Sequence, residues 1–139
     1  MTEGPFMANI IIATHGRMAE GMKHTLEILT GRGDIVAMNC FCDSINTLDD
    51  IKSNIINALD ATSADIIVFT DIKGGSVNRA VSELLPYNSR LHVVSGVNMP
   101  LLLEVALGQG ETEFVIKHAL AAVQKETIYM NELLGGMDI

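Results

Sequence analysis

Tryptophan is absent from this 139-residue chain, and aromatic residues make up only 4% of it. A core built from such a sequence has to be aliphatic, drawn from Ile, Leu, Val, Ala and Met. Basic residues are scarce as well: 9 Lys and Arg stand against 17 Asp and Glu, giving a net charge of −8. Nucleic-acid and anionic-membrane partners both call for a basic face, so this balance excludes them as main partners and suits a protein that meets basic protein surfaces. No apolar run approaches the roughly 20 residues of a membrane helix. The first residues lack the basic segment and long apolar core of a secretory signal, and the expected location is the cytoplasm. Cysteine is limited to Cys40 and Cys42. In an extended segment the two point to one face, where strand geometry does not favour a bridge. They read as ordinary strand residues in a reducing compartment. A Cys-X-Cys metal site would need further ligands, and the neighbouring sequence supplies none. No metal or cofactor is expected.

What is abundant is aliphatic and periodic. Hydrophobic residues reach 48%, enough for the core of one domain. Residues 1–6 read as an N-terminal tail, 7–134 as a single domain and 135–139 as a C-terminal tail. Short β-branched runs predict buried strands over 9–13, 35–41, 65–70 and 91–94. Between and after them, apolar spacing predicts helices over 17–29, 48–59, 76–85, 99–107 and 112–124. Thr47 or Asn46 is a plausible cap for the second helix. Gly31 and Gly33 close the first, and Pro86 ends the third. Strand and helix alternate without a break, which predicts an α/β fold of three layers, α-β-α, on a mainly parallel central sheet. Residues 126–131 fit a fifth strand or a helical tail equally well.

The richest stretch is Ile10-Ile11-Ile12-Ala13-Thr14-His15-Gly16. A strand stops there, a histidine stands at its carboxyl end, and an amphipathic helix begins at Arg17. In open parallel sheets ligands bind at that edge. A histidine there can titrate near neutral pH, act as a nucleophile or hold a metal. After the third strand comes Asp71-Ile72-Lys73-Gly74-Gly75-Ser76-Val77-Asn78, and after the fourth Ser95-Gly96-Val97-Asn98-Met99-Pro100. Parallel topology brings these three ends together. Asp71 is then the candidate orienter of His15: a carboxylate on one ring nitrogen leaves the other with its lone pair free. The Gly74-Gly75-Ser76 turn opens onto a helix whose N–H groups can receive an anion. An attacking imidazole, an orienting carboxylate and anion-receiving amides suit phosphoryl transfer to histidine. The glycine turn is not a P-loop, since it lacks the Gly-Lys-Ser/Thr ending. The first turn is not a dinucleotide fingerprint.

Three segments carry a resemblance: Ile11-Ile12-Ala13-Thr14-His15-Gly16, Asp71-x-x-Gly74-Gly75-Ser76-x-Asn78 and Gly96-Val97-Asn98-Met99-Pro100. Together they resemble the IIA domain of the mannose (mannose, fructose, sorbose) family of the bacterial phosphoenolpyruvate-dependent sugar phosphotransferase system. The likeness covers nearly the whole chain after the N-terminal tail, in order and at similar spacing. It implies a phosphocarrier: His15 would accept a phosphoryl group from the carrier HPr, on the ring nitrogen far from the backbone, and pass it to a IIB protein for sugar uptake. It implies that Asp71 orients His15 and that Ser76 lies beside the phosphate, with Thr14, Gly74 and Gly75 also binding it. It further implies association with a membrane transporter through IIB, and a homodimer in which a C-terminal strand is exchanged. Residues 126–131 are the candidate for that strand. Two positions depart from the family pattern. Lys73 stands where an aromatic or aliphatic residue is common, and Val77 where proline is common. Lys73 has three readings: a stabiliser of phosphohistidine, a determinant of partner choice, or a solvated loop lysine. Arg17 and Asn98 are candidate contacts to phosphate or partner. His24, His92 and His118 lie inside predicted elements and read as structural or surface residues. Two alternatives compete with the sugar-uptake reading: a carrier of similar fold feeding a dihydroxyacetone kinase, and an α/β regulatory module in which His15 only binds a ligand.

Overall fold

The computed structural model describes residues 8–135. The predicted tail at 1–6, and all of the predicted tail at 135–139 except Gly135, lie outside the described residues. The sheet has four parallel strands: β1 (Asn9–His15), β2 (Val36–Cys40), β3 (Ile66–Thr70) and β4 (Leu91–Val94), in the order β2-β1-β3-β4. The helices are α1 (Met18–Thr30), α2 (Leu48–Asp60), α3 (Ser76–Ser82), α4 (Met99–Ala106), α5 (Thr112–Ala122) and α6 (Met130–Gly135). This is the three-layer α-β-α arrangement that the alternating pattern predicts.

Side-chain alternation along β1 divides the core in two. Ile10 and Ile12 pack with Ala19 and Leu26 of α1, Leu101, Leu102 and Val105 of α4, and Val115 and Ala119 of α5. Ile11 and Ala13 pack on the opposite face, with Ile51 and Ile55 of α2 and Val77 and Val81 of α3. Burying each of these Ile, Leu and Val side chains is worth about 1.5–3 kcal/mol. β3 is buried along its whole length, as a central strand covered on both faces must be. β1 is the other central strand, so its end lies between the ends of β2 and β3.

Local chemistry sets the boundaries. α2 starts at a capping box: the Thr47 hydroxyl accepts the Asp50 N–H at 3.0 Å, and the Asp50 carboxylate accepts the Thr47 N–H at 3.0 Å. At its other end, the Arg90 guanidinium donates to the carbonyls of Leu59, Thr62 and Ala64 at 2.7–2.8 Å. α1 ends at Gly31 in the left-handed conformation. Several boundaries differ from expectation. β1 runs on through His15, two residues past the expected end at 13. α3 stops at Ser82, short of 85, and Pro86 lies inside a separate 3-10 turn, Leu85–Tyr87. A proline has no N–H to continue an α-helix and disfavours helical geometry in the residue before it. Finally, residues 126–129 have no regular structure and α6 follows them. The candidate fifth strand is therefore not a strand in the single chain. Ile128, Tyr129, Met130, Leu133 and Leu134 are all exposed there.

Candidate functional site

His15 and Asp71 meet at the carboxyl edge of the sheet because β1 and β3 are neighbours, with Ala13 opposite Thr70. Strand alternation points His15 to the side of α2 and α3, as it does Ala13. One carboxylate oxygen of Asp71, Oδ2, accepts both the backbone N–H of His15 and its ring Nδ1–H, each at 2.8 Å. The Asp71 side chain is nearly buried, at 7% exposure, while His15 remains 45% exposed. Burial pushes the Asp71 carboxyl up. The N–H and ring of His15, with the Ile72 N–H, outweigh that and leave it below the ordinary carboxylate range. Asp71 is thus an anion at neutral pH, and an anion accepts a proton donor: Nδ1 carries the hydrogen. Nε2 then presents its lone pair, 3.2 Å from the Ser76 hydroxyl at the start of α3.

The glycine turn between Asp71 and Ser76 is shaped by Asn78. Its Oδ1 accepts the Gly74 N–H at 3.1 Å, and its Nδ2 donates to the buried Thr70 hydroxyl at 2.9 Å. Gly74 has a φ of +79°, which only glycine adopts freely. Gly75 is needed for a different reason: a Cβ there would lie 3.2 Å from the Ile72 carbonyl and 3.8 Å from the His15 ring carbon Cε1. The Gly75 N–H is donated to that Ile72 carbonyl at 3.0 Å. Both glycine N–H groups, expected to receive phosphate, are therefore spent on closing the turn. Their contribution is the close approach of backbone to the imidazole. The Ser76 hydroxyl is the polar group that faces Nε2.

The other candidate contacts are placed as follows. Thr14 is fully buried on the α1 side, and its hydroxyl accepts the Ala19 N–H at 2.8 Å. It holds the start of α1 instead of lining the cleft, because neighbouring strand residues face opposite ways. Asn98 caps α4, accepting the Leu101 N–H at 2.9 Å and donating to the Gly96 carbonyl at 3.2 Å. Arg17 is exposed and lies 3.4 Å from both Asp43 and Glu20. Asp43 first, then Cys42 and Glu20, holds its pKa above the ordinary arginine value. Lys73 is exposed and makes no ion pair among the described residues. His92 pairs with Asp65 at 3.6 Å, at the far end of the sheet, and His118 stacks on Phe114. Among the described residues, no three or more His, Cys, Asp or Glu side chains cluster as a metal ligand set.

Sequence reasoning missed one neighbour. Phe41 follows β2, whose last residue Cys40 lies opposite His15, and its ring centroid is 5.3 Å from that of His15. The available signal was topological: a parallel β2 ends at the same edge as β1.

Residues 9–126 match the family model of the PTS system fructose IIA component. The chain belongs to that family, the IIA components of the sugar phosphotransferase system. It is 31% identical over 104 residues to the mannose-specific EIIAB component of Escherichia coli K12, an alignment covering 73% of this chain and 32% of that protein. The chain thus spans about a third of the length of that relative. It is 26% identical over 101 residues to the fructose-specific EIIA component of Bacillus subtilis, covering 71% of this chain and 68% of that protein. Its fold is similar to EIIA from Streptococcus agalactiae, with a TM-score of 0.80 at 22% identity over 90% of this chain and 98% of the other. It is also similar to the mannose/sorbose IIA subunit from Enterococcus faecalis, with a TM-score of 0.74 at 19% identity over 96% and 97% of the two chains. In this IIA component, Val77 is buried in the core beside Ala13 and Val81. Val77 is thus a packing residue, whereas Lys73 is exposed in the loop between Asp71 and Gly74.

Proposed function

We propose that this IIA component is a histidine phosphocarrier in which Nε2 of His15 takes a phosphoryl group from phospho-HPr and hands it to a IIB protein for sugar uptake. One observation carries the reading: Asp71 Oδ2 holds Nδ1 of His15 at 2.8 Å while Nε2 faces the Ser76 hydroxyl at 3.2 Å. On this reading the Nε2 lone pair attacks phosphorus as the bond from phosphorus to the donor's nitrogen breaks, and the electron pair of that bond leaves on the donor. The imidazole gains positive charge, and the Asp71 carboxylate next to Nδ1–H offsets it. The Ser76 hydroxyl turns its hydrogen bond from Nε2 to a phosphoryl oxygen. A nucleophilic side chain of IIB then repeats the attack on phosphorus, and Nε2 recovers its lone pair. Lys73, exposed in the loop after Asp71, and Arg17, already next to Asp43 and Glu20, are charges that an incoming protein surface meets.

The surroundings fit a cytoplasmic carrier that reaches the membrane only through its partner. No helix among the described residues is long and apolar enough to cross a bilayer. A homodimer belongs to the same reading, and the exposed apolar side chains of Ile128, Tyr129, Met130, Leu133 and Leu134 supply a surface for it. The test is phosphoryl uptake from phospho-HPr followed by a chase with IIB. The wild-type chain is expected to gain one phosphoryl group that is labile in acid and stable in base, then lose it to IIB. The variant His15→Ala is expected to gain none. Full labelling of that variant would move the site elsewhere. A wild-type adduct that passes to a dihydroxyacetone kinase and not to IIB would favour the other carrier reading.

A further inference from the structure

Phe41 has a feature that the exchange of phosphate does not by itself require. Its φ is 59°, in the left-handed region that bulky residues rarely adopt. The loop around it is tied down: the Phe41 N–H donates to the Ile45 carbonyl, Cys42 bridges to Ile45, and Asp43 shares the left-handed conformation while pairing with Arg17. A glycine would satisfy that backbone without strain. The chain instead keeps an aromatic ring there, 42% exposed, whose plane is 34° from that of the His15 imidazole at a centroid distance of 5.3 Å. Strained residues held by their surroundings collect at functional sites. The exposed imidazole otherwise depends on Asp71 at one ring nitrogen and Ser76 at the other. Both contacts lie at the ring's edge and leave its flank open.

We propose that Phe41 is a positioning residue that flanks the His15 imidazole, limits its rotation and shields the Nε2–phosphorus bond from water between transfers. The inference rests on the phosphocarrier reading and adds to it a reason why the intermediate persists. The reaction it opposes is hydrolysis. Water oxygen bonds to phosphorus, the Nε2–phosphorus bond breaks with its electrons left on Nε2, and inorganic phosphate departs with one water proton while the other goes to solvent. An aromatic flank removes directions from which water approaches and keeps the ring anchored on Asp71.

The test compares wild type with Phe41→Gly, Phe41→Ala and Phe41→Tyr. Each is phosphorylated from phospho-HPr, freed of the donor and followed by intact mass at neutral pH. The Gly and Ala variants are expected to lose the phosphoryl group about fivefold faster, the factor that ~1 kcal/mol of aromatic contact is worth. The Tyr variant is expected to keep the wild-type lifetime. Phe41→Gly is also expected to melt no lower than wild type, since it relieves the left-handed strain, so a faster loss is not a sign of unfolding. Equal lifetimes in all four proteins would overturn the shielding role. A wild-type chain that takes up no phosphate would instead defeat the carrier reading. The positioning contact is then read from the unphosphorylated protein: the carbon-bound ring protons of His15 are expected to shift in Phe41→Ala as the neighbouring ring current is lost. Unchanged resonances would overturn it.

Discussion

A single oxygen atom, Asp71 Oδ2, grips His15 at two points, the backbone N–H and the ring Nδ1–H. That double contact fixes both the side chain's tautomer and its direction. Replacing the carboxylate by an amide keeps the shape but offers Nδ1 a weaker and ambiguous partner. Asp71→Asn is expected to slow phosphoryl uptake about 10–100-fold, by analogy with carboxylates that orient metal-bound histidines. A single-turnover measurement with phospho-HPr checks this, and an unchanged rate would remove the orienting role. His15 and Asp71 were legible in the sequence because parallel topology alone brings their strand ends together. Thr14, Gly74 and Gly75 show what spacing leaves open. Sequence spacing says which residues are near an edge, but not which face a side chain takes or which N–H is already spent. Thr14 turned to α1, and the two glycine amides closed their own turn. Asn78, which arranges that turn, was visible in the motif without a role, since its two partners are eight and four residues away.

At the level of elements, the strands and helices followed the apolar periodicity closely, and Thr47 was one of the two caps expected for α2, while the part Asp50 plays there came only with the structure. The far end of α2 was not legible in the sequence. There Arg90, just before β4, donates to the Leu59 carbonyl in the last turn and to Thr62 and Ala64 in the segment that follows the helix. Nothing local to α2 announces such a long-range cap. Arg90→Met keeps much of the aliphatic stem and removes the donors. It is expected to destabilise the protein by about 2 kcal/mol, as loss of charge-assisted hydrogen bonds does, with no change in phosphoryl uptake. Denaturant melts beside the uptake assay separate the two effects, and a variant as stable as wild type would show those bonds to be dispensable. The C-terminal segment was legible only as an ambiguity. Alternating apolar residues suit a strand that has a partner, and in the single chain residues 126–129 have none and α6 takes over.

For the molecule as a whole, the titrating groups set opposite limits to stability. The carboxyls of Asp71, Asp34 and Asp50 all lie below their ordinary values. For Asp71, hydrogen bonds from His15 and Ile72 overcome burial. Asp34 owes its shift first to the Arg32 hydrogen bond, and Asp50 to the N–H groups of Asn46 and Thr47. The folded state therefore prefers the ionised forms. Their stabilisation is complete above about pH 5 and is lost as pH falls through the unfolded value near about 3.9 and then the lower folded values. At the alkaline side, burial first and then the nearby Asp71 charge push the Cys40 thiol up to about 11. The folded state prefers this thiol protonated, so stability is expected to decline from about pH 8.5 upward as only the unfolded chain ionises. Thermal melts across pH check both limbs. A curve flat from acid to neutral, or one rising above pH 9, would contradict them. The central claim is narrower: the phosphoryl group sits on Nε2 of His15 while Asp71 keeps the proton on Nδ1. Proton–nitrogen spectra of the His15 ring, taken before and after phosphorylation by phospho-HPr, test it most directly. The prediction is a protonated Nδ1 in both states and phosphorus coupled to Nε2 after transfer. Phosphorus coupled to Nδ1, or to no nitrogen of His15, would contradict it.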